Sequence, residues 1–156
     1  MFPSDITCAV TLFPAYTDKQ SGEQTNIRCV LQNCFWNEDS IAIFQRSGQA
    51  TDNSVTLFIP HDPAVTGREY VTPEEWYNLA PGQLDNYWTV DPRRLPIMLR
   101  GESGFEFTWA MPDAKNRIAE QERLFQLEGP GTRLRVKDVD VQLFGSRDMR
   151  HIKLRA

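Results

Sequence analysis

Asn53-Ser-Val-Thr-Leu-Phe-Ile-Pro60 is the stretch whose reading decides the fold. Val55, Leu57 and Ile59 alternate with Ser54, Thr56 and Phe58, a period of two that gives a strand one apolar face. Asp52-Asn53 turns the chain in before it, and Pro60, which has no N–H to give a ladder, ends the pairing.

The same alternation recurs on both sides. Ile6, Cys8, Val10 and Leu12 set one face of a strand over 6–13, and Thr25 to Trp36 forms a longer second strand after the turn cluster Asp18–Gly22. Residues 6–36 thus read as a hairpin, and the break of alternation at Asn33-Cys34 predicts a bulge. Ile41–Gln45 reads as a short third strand, Arg46–Asn53 as a polar loop, and His61–Arg68 as another flexible connection. Thr72-Pro-Glu-Glu-Trp76 carries a capping box: a Thr cap, a Pro at the first helical position and Glu75 three residues after the cap. Pro81-Gly82 stops that helix. Trp76, Tyr77, Leu79, Leu84, Tyr87 and Trp88 then form an aromatic-rich cover, suited to lid the end of a sheet or barrel.

Further on, 88–90, 95–100 and 105–109 read as extended pieces and 113–124 as a second helix, broken by Gly129-Pro-Gly131. In Leu134–Leu143 the apolar face changes sides near Lys137, which predicts a bulge or a crossing between sheets. Met149–Arg155 is the last strand, with Ile152 and Leu154 on one face and His151, Lys153 and Arg155 on the other. Short strands with turn signals between them define a mainly β chain, a small antiparallel β-barrel or sandwich of about six to nine strands with short helices at about 73–79 and 113–124.

At 156 residues this is one domain spanning 1–156, large enough to bury a core without staples. No apolar run approaches a membrane span, and Met1–Asp5 lacks the regions of a signal peptide, so a soluble, cytoplasmically made protein is expected. The net charge of −4 is uneven: residues 133–156 sum to +4 and residues 1–132 to −8. A basic end on an acidic body suits nucleic acid, the acidic face of a neighbouring copy, or simple solvation of a strand edge.

Reactive constellations are sparse. Cys8, Cys29 and Cys34 show no CxxC pattern and read as small core residues. Glu74 and Glu75, adjacent on a helix, point apart and suit its N-terminus. Asp138 and Asp140 share a strand face but bring too few oxygens for a metal, and Cys34 has no local base. No phosphate loop, dinucleotide pattern, GxSxG or HExxH occurs. The expectation is no enzyme, no metal and no cofactor.

Val55–Pro60, then Tyr70–Trp76, Tyr87–Val90, Arg100-Gly101 and Phe144–His151, together with Asp5–Thr7 and Val30–Trp36, resemble a family of small prophage-encoded proteins from the structural-gene region of tailed phages of Gram-positive bacteria. The likeness runs over most of the chain and differs at Arg93–Pro96 and in the charged helix at 113–124. Such proteins look like head–tail connectors, β-barrel neck proteins that ring the channel beneath the portal. The resemblance implies a virion structural protein, a head-closure (stopper) or connector ring between portal or adaptor and tail, with tail-completion or minor capsid protein as the alternative. Partners would be copies of itself, the portal or adaptor, a tail-completion or tail-terminator protein and packaged DNA held without specific contacts.

In that setting the loops flanking the organising strand supply candidate channel or partner residues Arg46, Gln49, Asp52, His61, Asp62, Arg68 and Glu69. Candidate inter-subunit contacts are Trp76, Tyr77, Tyr87, Arg93, Arg94, Arg150, Lys153 and Arg155. The competing class is a nucleic-acid-binding barrel using Arg133, Arg135, Arg150, Lys153 and Arg155.

Overall fold

A computed structural model of the chain describes residues 7–22, 24–45, 48–94, 96–105, 122–123, 126, 133–146 and 149–156. In chain order the elements are β1 (Thr7–Leu12), β2 (Ala15–Thr17), β3 (Gln24–Asn26), β4 (Cys29–Gln45), β5 (Gly48–Pro60), α1 (Pro63–Thr66), β6 (Glu69–Tyr70), α2 (Pro73–Tyr77), a 3-10 turn (Pro81–Asn86), β7 (Tyr87–Trp88), a second 3-10 turn (Pro92–Arg94), β8 (Ile97–Arg100), β9 (Arg133–Arg135), β10 (Asp138–Gln142) and β11 (His151–Arg155).

One antiparallel sheet of seven described strands, in the order β10-β11-β5-β4-β1-β8-β9, forms the body. Its two outermost members, β9 and β10, are separated in sequence only by Val136 and Lys137. Val136 N–H donates to Pro96 O (2.9 Å) on the β8 side, and Lys137 N–H donates to Arg155 O (2.7 Å) on the β11 side. The chain therefore steps from one edge of the sheet to the other in two residues, and the sheet curls into a small barrel. This is the crossing that the change of apolar face near Lys137 predicts.

The interior follows from parity. Val10 and Leu12, Val55, Leu57 and Ile59, Met98, and Ile152 and Leu154 are buried on the inner face. On β4 the parity slips: Cys29 and Leu31 face inward, then Cys34 and Trp36. The register shows why, because Cys8 pairs with Cys34 while Val10 pairs with Leu31, leaving one extra residue on β4. Asn33 sits in the bulge at φ 60, a left-handed conformation that Asn tolerates better than most residues. Its Nδ2 donates to Val65 O (2.9 Å), tying the bulge to α1. Burying each such aliphatic side chain contributes roughly 1.5–3 kcal/mol.

Two expectations change. The strand expected over 25–36 is broken at Ile27-Arg28, its start lying in β3, while from Cys29 on it runs without interruption through the expected third strand as β4; the polar stretch expected as a loop at 46–53 is, from Gly48 on, the start of β5. The two strands pair from Phe35↔Phe58 to Gln45↔Gly48. β1 covers β4 only as far as Phe35, and β11 and Ala156 cover β5 only as far as Val55. Seven pairs, from Asp39↔Ser54 to Gln45↔Gly48, therefore form a two-stranded arm with no third strand among the described residues. At about 3.4 Å per residue the arm extends about 20 Å past the barrel.

The opposite end is closed. α2 begins at Thr72, whose Oγ1 accepts from Glu75 N–H (3.3 Å), the first half of the expected capping box, while the Glu75 carboxylate accepts from the Thr72 hydroxyl (3.1 Å). Trp76, Leu84 and Trp88 enter the main core, so the aromatic cover is a lid. Trp76 Nε1–H donates to Ala15 O (2.8 Å) and Tyr16 OH donates to Leu79 O (2.8 Å), which join the lid to the small β2–β3 hairpin. A second core of Phe13, Ile97, Leu99 and Phe105 lies outside β1 and β8. Phe105 is not in a strand, and residues 106–109 of the strand expected there lie outside the described residues. So does the helix expected at 113–124, except for Glu122 and Arg123, which are helical.

Candidate interaction surfaces

The residues singled out in the sequence distribute over three places: the arm, the lid and the β10–β11 hairpin. Gln49 and Asp52 lie on the arm, in register with Phe44 and Ile41, while Arg46 lies outside the described residues. The other flanking segment is not a loose loop. Asp62 caps α1, its Oδ1 accepting from Ala64 N–H (3.0 Å), and Gly67 ends it at φ 91 with its N–H on Pro63 O. His61 N–H donates to Arg150 O (3.0 Å), and its ring sits 6.5 Å from that of Tyr70.

Arg68 is half-buried beneath the lid. Its Nη1 donates to Leu84 O (2.9 Å) and Tyr87 O (3.2 Å), and Nη2 reaches Arg28 O (3.5 Å). The guanidinium staples the 3-10 turn and β7 to the start of β4, because several inward carbonyls converge on one planar donor. Glu69 beside it is exposed.

Among the expected contact residues, Trp76 is wholly buried and thus absent from the surface. Tyr77 and Tyr87 are half-buried at the lid rim. Arg93 is exposed but folds back on its own turn, its Nε 3.1 Å from Asp91 Oδ1 and its Nη2 3.2 Å from Oδ2. The backbone places Arg94 in the second 3-10 turn. Lys153 Nζ stands 5.5 Å from the centre of the Phe58 ring, and Arg155 Nη1 bonds Asp138 Oδ2 (2.8 Å). Arg150 is exposed. The basic row of the last strand is therefore partly engaged with its own barrel, and β9 places Arg133 and Arg135 across the seam.

The candidate chemical groups are also accounted for. Asp138 holds Arg155, and Asp140 Oδ2 accepts from Gln142 Nε2 (2.6 Å). Among the described residues no group of three or more His, Cys, Asp or Glu side chains converges as a metal site. Burial pushes the Cys29 thiol up to about 12, with Arg68 close by pulling weakly the other way, and burial raises Cys34 as well. Thiols so disfavoured as thiolates are poor nucleophiles near neutral pH. A cavity lined by Phe13, Asn26, Tyr77 and Thr89 has room for about one water, far below the size of a small-molecule site.

The β10–β11 hairpin carries an exposed apolar tip. The four large apolar side chains exposed among the described residues are Val141, Leu143, Phe144 and Met149, all in the β10–β11 hairpin. Phe144 is 77% and Met149 64% exposed. The turn is held by Met149 N–H on Ser146 O (2.9 Å), and Gly145, at φ 77, lies so close under Met149 that an added Cβ would stand 3.1 Å from its sulfur. The signal available in the sequence was Leu143-Phe144 set directly against a Gly-Ser turn, where polar residues are usual.

These features define a small antiparallel β-barrel whose distinctive groups sit on outward projections. The chain belongs to the family of unknown function DUF6751, whose model matches residues 6–156. No curated protein and no solved structure matches it.

Proposed function

We propose that the protein is a structural component of a tailed-phage virion, a head-closure or head–tail connector protein that assembles as a homo-oligomeric ring at the neck, between portal or adaptor and tail. The observation that carries this reading is the two-stranded arm, seven residue pairs long beyond the last covering strand. An isolated two-stranded hairpin is marginal in water, and among the described residues neither of its edges has a further strand, which leaves edges able to pair with another chain. Such an arm suits a protein that works by touching neighbours. The resemblance of the strand, lid and hairpin segments to phage structural-region proteins supplies the setting.

Within that reading, an acidic body beside packaged DNA disfavours tight binding and lets the duplex slide. Tail-completion or minor capsid protein is the neighbouring role on the same geometry. The test is mass spectrometry of purified particles followed by electron microscopy of the neck. The expected result is the chain in stoichiometric amount, with ring density between portal and tail. Its absence from intact particles overturns the reading.

A further inference from the structure

β1 and β4 set two thiols against each other. Cys8 pairs directly with Cys34 across the antiparallel ladder, and residues so paired stand on one side of a sheet as neighbours. Here that side is the interior. Cys8 has the parity of Val10 and Leu12 and packs against the core cluster that contains Cys34. The bulge is what brings Cys34 there. Leu31 and Cys34 are three residues apart, which in a regular strand puts them on opposite faces, and the extra residue of β4 at Asn33 turns Cys34 back inward. Residues directly opposite in an antiparallel pair have Cα atoms about 4.5–5.5 Å apart, within the span of about 4.4–6.8 Å that a disulfide bridges. We propose that Cys8 and Cys34 form a modification site, a cross-strand disulfide that mild oxidation closes and thiols reopen, tying β1 to β4.

The two thiols have different parts. All three cysteines are free, but only Cys8 reaches solvent. Cys34 is wholly buried, its Sγ 3.7 Å from Gln32 O and 3.9 Å from Leu31 O in the bulge. Burial pushes the Cys34 thiol up, and Cys8 across the ladder adds to the rise, so Cys34 does not start the reaction. Cys8 starts it, with hydrogen peroxide as the oxidant. The Cys8 thiolate attacks one peroxide oxygen, the O–O bond breaks, and hydroxide leaves and takes up the proton that Cys8 has lost, giving a sulfenic acid and water. The Cys34 sulfur then attacks the Cys8 sulfur, the S–O bond breaks, and the hydroxyl departs with the Cys34 proton as a second water. Two electrons pass from the sulfurs to the peroxide. Cys29 takes no part, because the register sets it opposite Leu12 and its Sγ lies 3.6 Å from Arg68 Nη1. The site itself stands on the β1–β4 register alone. Its timing rests on the virion reading above: open while the chain is made in a reducing cytoplasm, closed once the particle is outside.

The test treats the folded full-length chain with stoichiometric hydrogen peroxide, then counts thiols after denaturation and maps peptides without reductant. The count is expected to fall from three to one, with one peptide pair joined through Cys8 and Cys34, and dithiothreitol should restore all three. The closed form should unfold about 5–10 °C higher than the reduced form, as a bridge across a loop of this length does. Cys29→Ala should leave the bridge in place, whereas Cys8→Ser and Cys34→Ala should each abolish both the linked peptide and the shift. Three thiols surviving peroxide, a bridge between two chains, a bridge that includes Cys29, or Cys8 carried on to sulfinic acid beside a free Cys34 thiol overturns the inference; these readouts are taken on wild type and do not depend on a variant folding. Alkylation in intact producing cells and in purified particles reads the timing, with free thiols expected in the first and the bridge in the second. A bridge formed in the purified chain that is absent from particles keeps the site and sinks the neck reading. Particles that hold the chain at the neck with three thiols unmoved by peroxide do the reverse.

Discussion

The two ends of the barrel are built on opposite principles. At the lid end, Trp76, Leu84 and Trp88 are buried, and Arg68, Tyr16, Trp76 and Thr72 each hold a backbone group. At the arm end the same β4–β5 hairpin that carries Leu31, Leu57 and Ile59 in the core runs on past its covering strands with no described partner. The difference teaches that stability comes from one end and is spared at the other. A hairpin left two-stranded contributes little to folding, so its persistence over seven pairs points to a role outside the fold.

The largest effect should come from the lid. Trp76→Ala removes a fully buried indole and leaves Ala15 O without its donor, at a cost of about 3–5 kcal/mol in chemical denaturation. A loss under about 1 kcal/mol would mean that the lid does not seal the core. Next comes Arg68→Ala, which removes the guanidinium that bridges the carbonyls of Leu84 and Tyr87 and should destabilise by about 1–3 kcal/mol; Arg68→Lys, lacking the planar fork, should recover only part of it.

Alkaline pH sharpens the contrast. The Cys29 thiol is raised by burial, so the folded state keeps its proton after the unfolded chain has lost it. Its contribution is fully present below about pH 9 and declines toward pH 12 by about 1.4 kcal/mol per unit. The stability advantage of wild type over Cys29→Ala should shrink accordingly in denaturant titrations between those pH values. A pH-independent difference would place the thiol in contact with water. Smaller still is Thr72→Ala, which removes the cap of α2 and should cost about 1 kcal/mol. Least of all, shortening the arm should change the unfolding free energy by less than about 0.5 kcal/mol, as substitutions away from packed features do. A large loss there would break the comparison outright.

Much of the barrel was legible because burial on one face imposes a period of two. Val55, Leu57 and Ile59 on the organising strand, the slip at Asn33, the face change at Lys137 and the Thr72 cap all left local marks, and each appears where it was read. The arm was not legible for the same reason. Gln49, Thr51, Asp52 and Asn53 do not alternate apolar with polar, so a reading by period takes them for loop residues. Arg68 reads from the sequence as a candidate channel or partner residue, because sequence spacing cannot show that the carbonyls of Arg28, Leu84 and Tyr87 converge on it. The tip was missed because single apolar residues beside a turn are common, and only their clustering in space distinguishes them.

The two-residue step at Val136-Lys137 has a consequence for biogenesis. Among the described residues, β8 finds its outer neighbour in β9 and β5 finds its outer neighbour in β11, so the first hundred residues emerge from the ribosome as a sheet β5-β4-β1-β8 with both margins bare. The seam is sewn only after residues 133–155 have been synthesised, by pairings of long sequence separation that form slowly. A nascent chain stalled short of that segment is a strand-hungry intermediate, and prompt completion of synthesis is what protects it from clumping with its siblings.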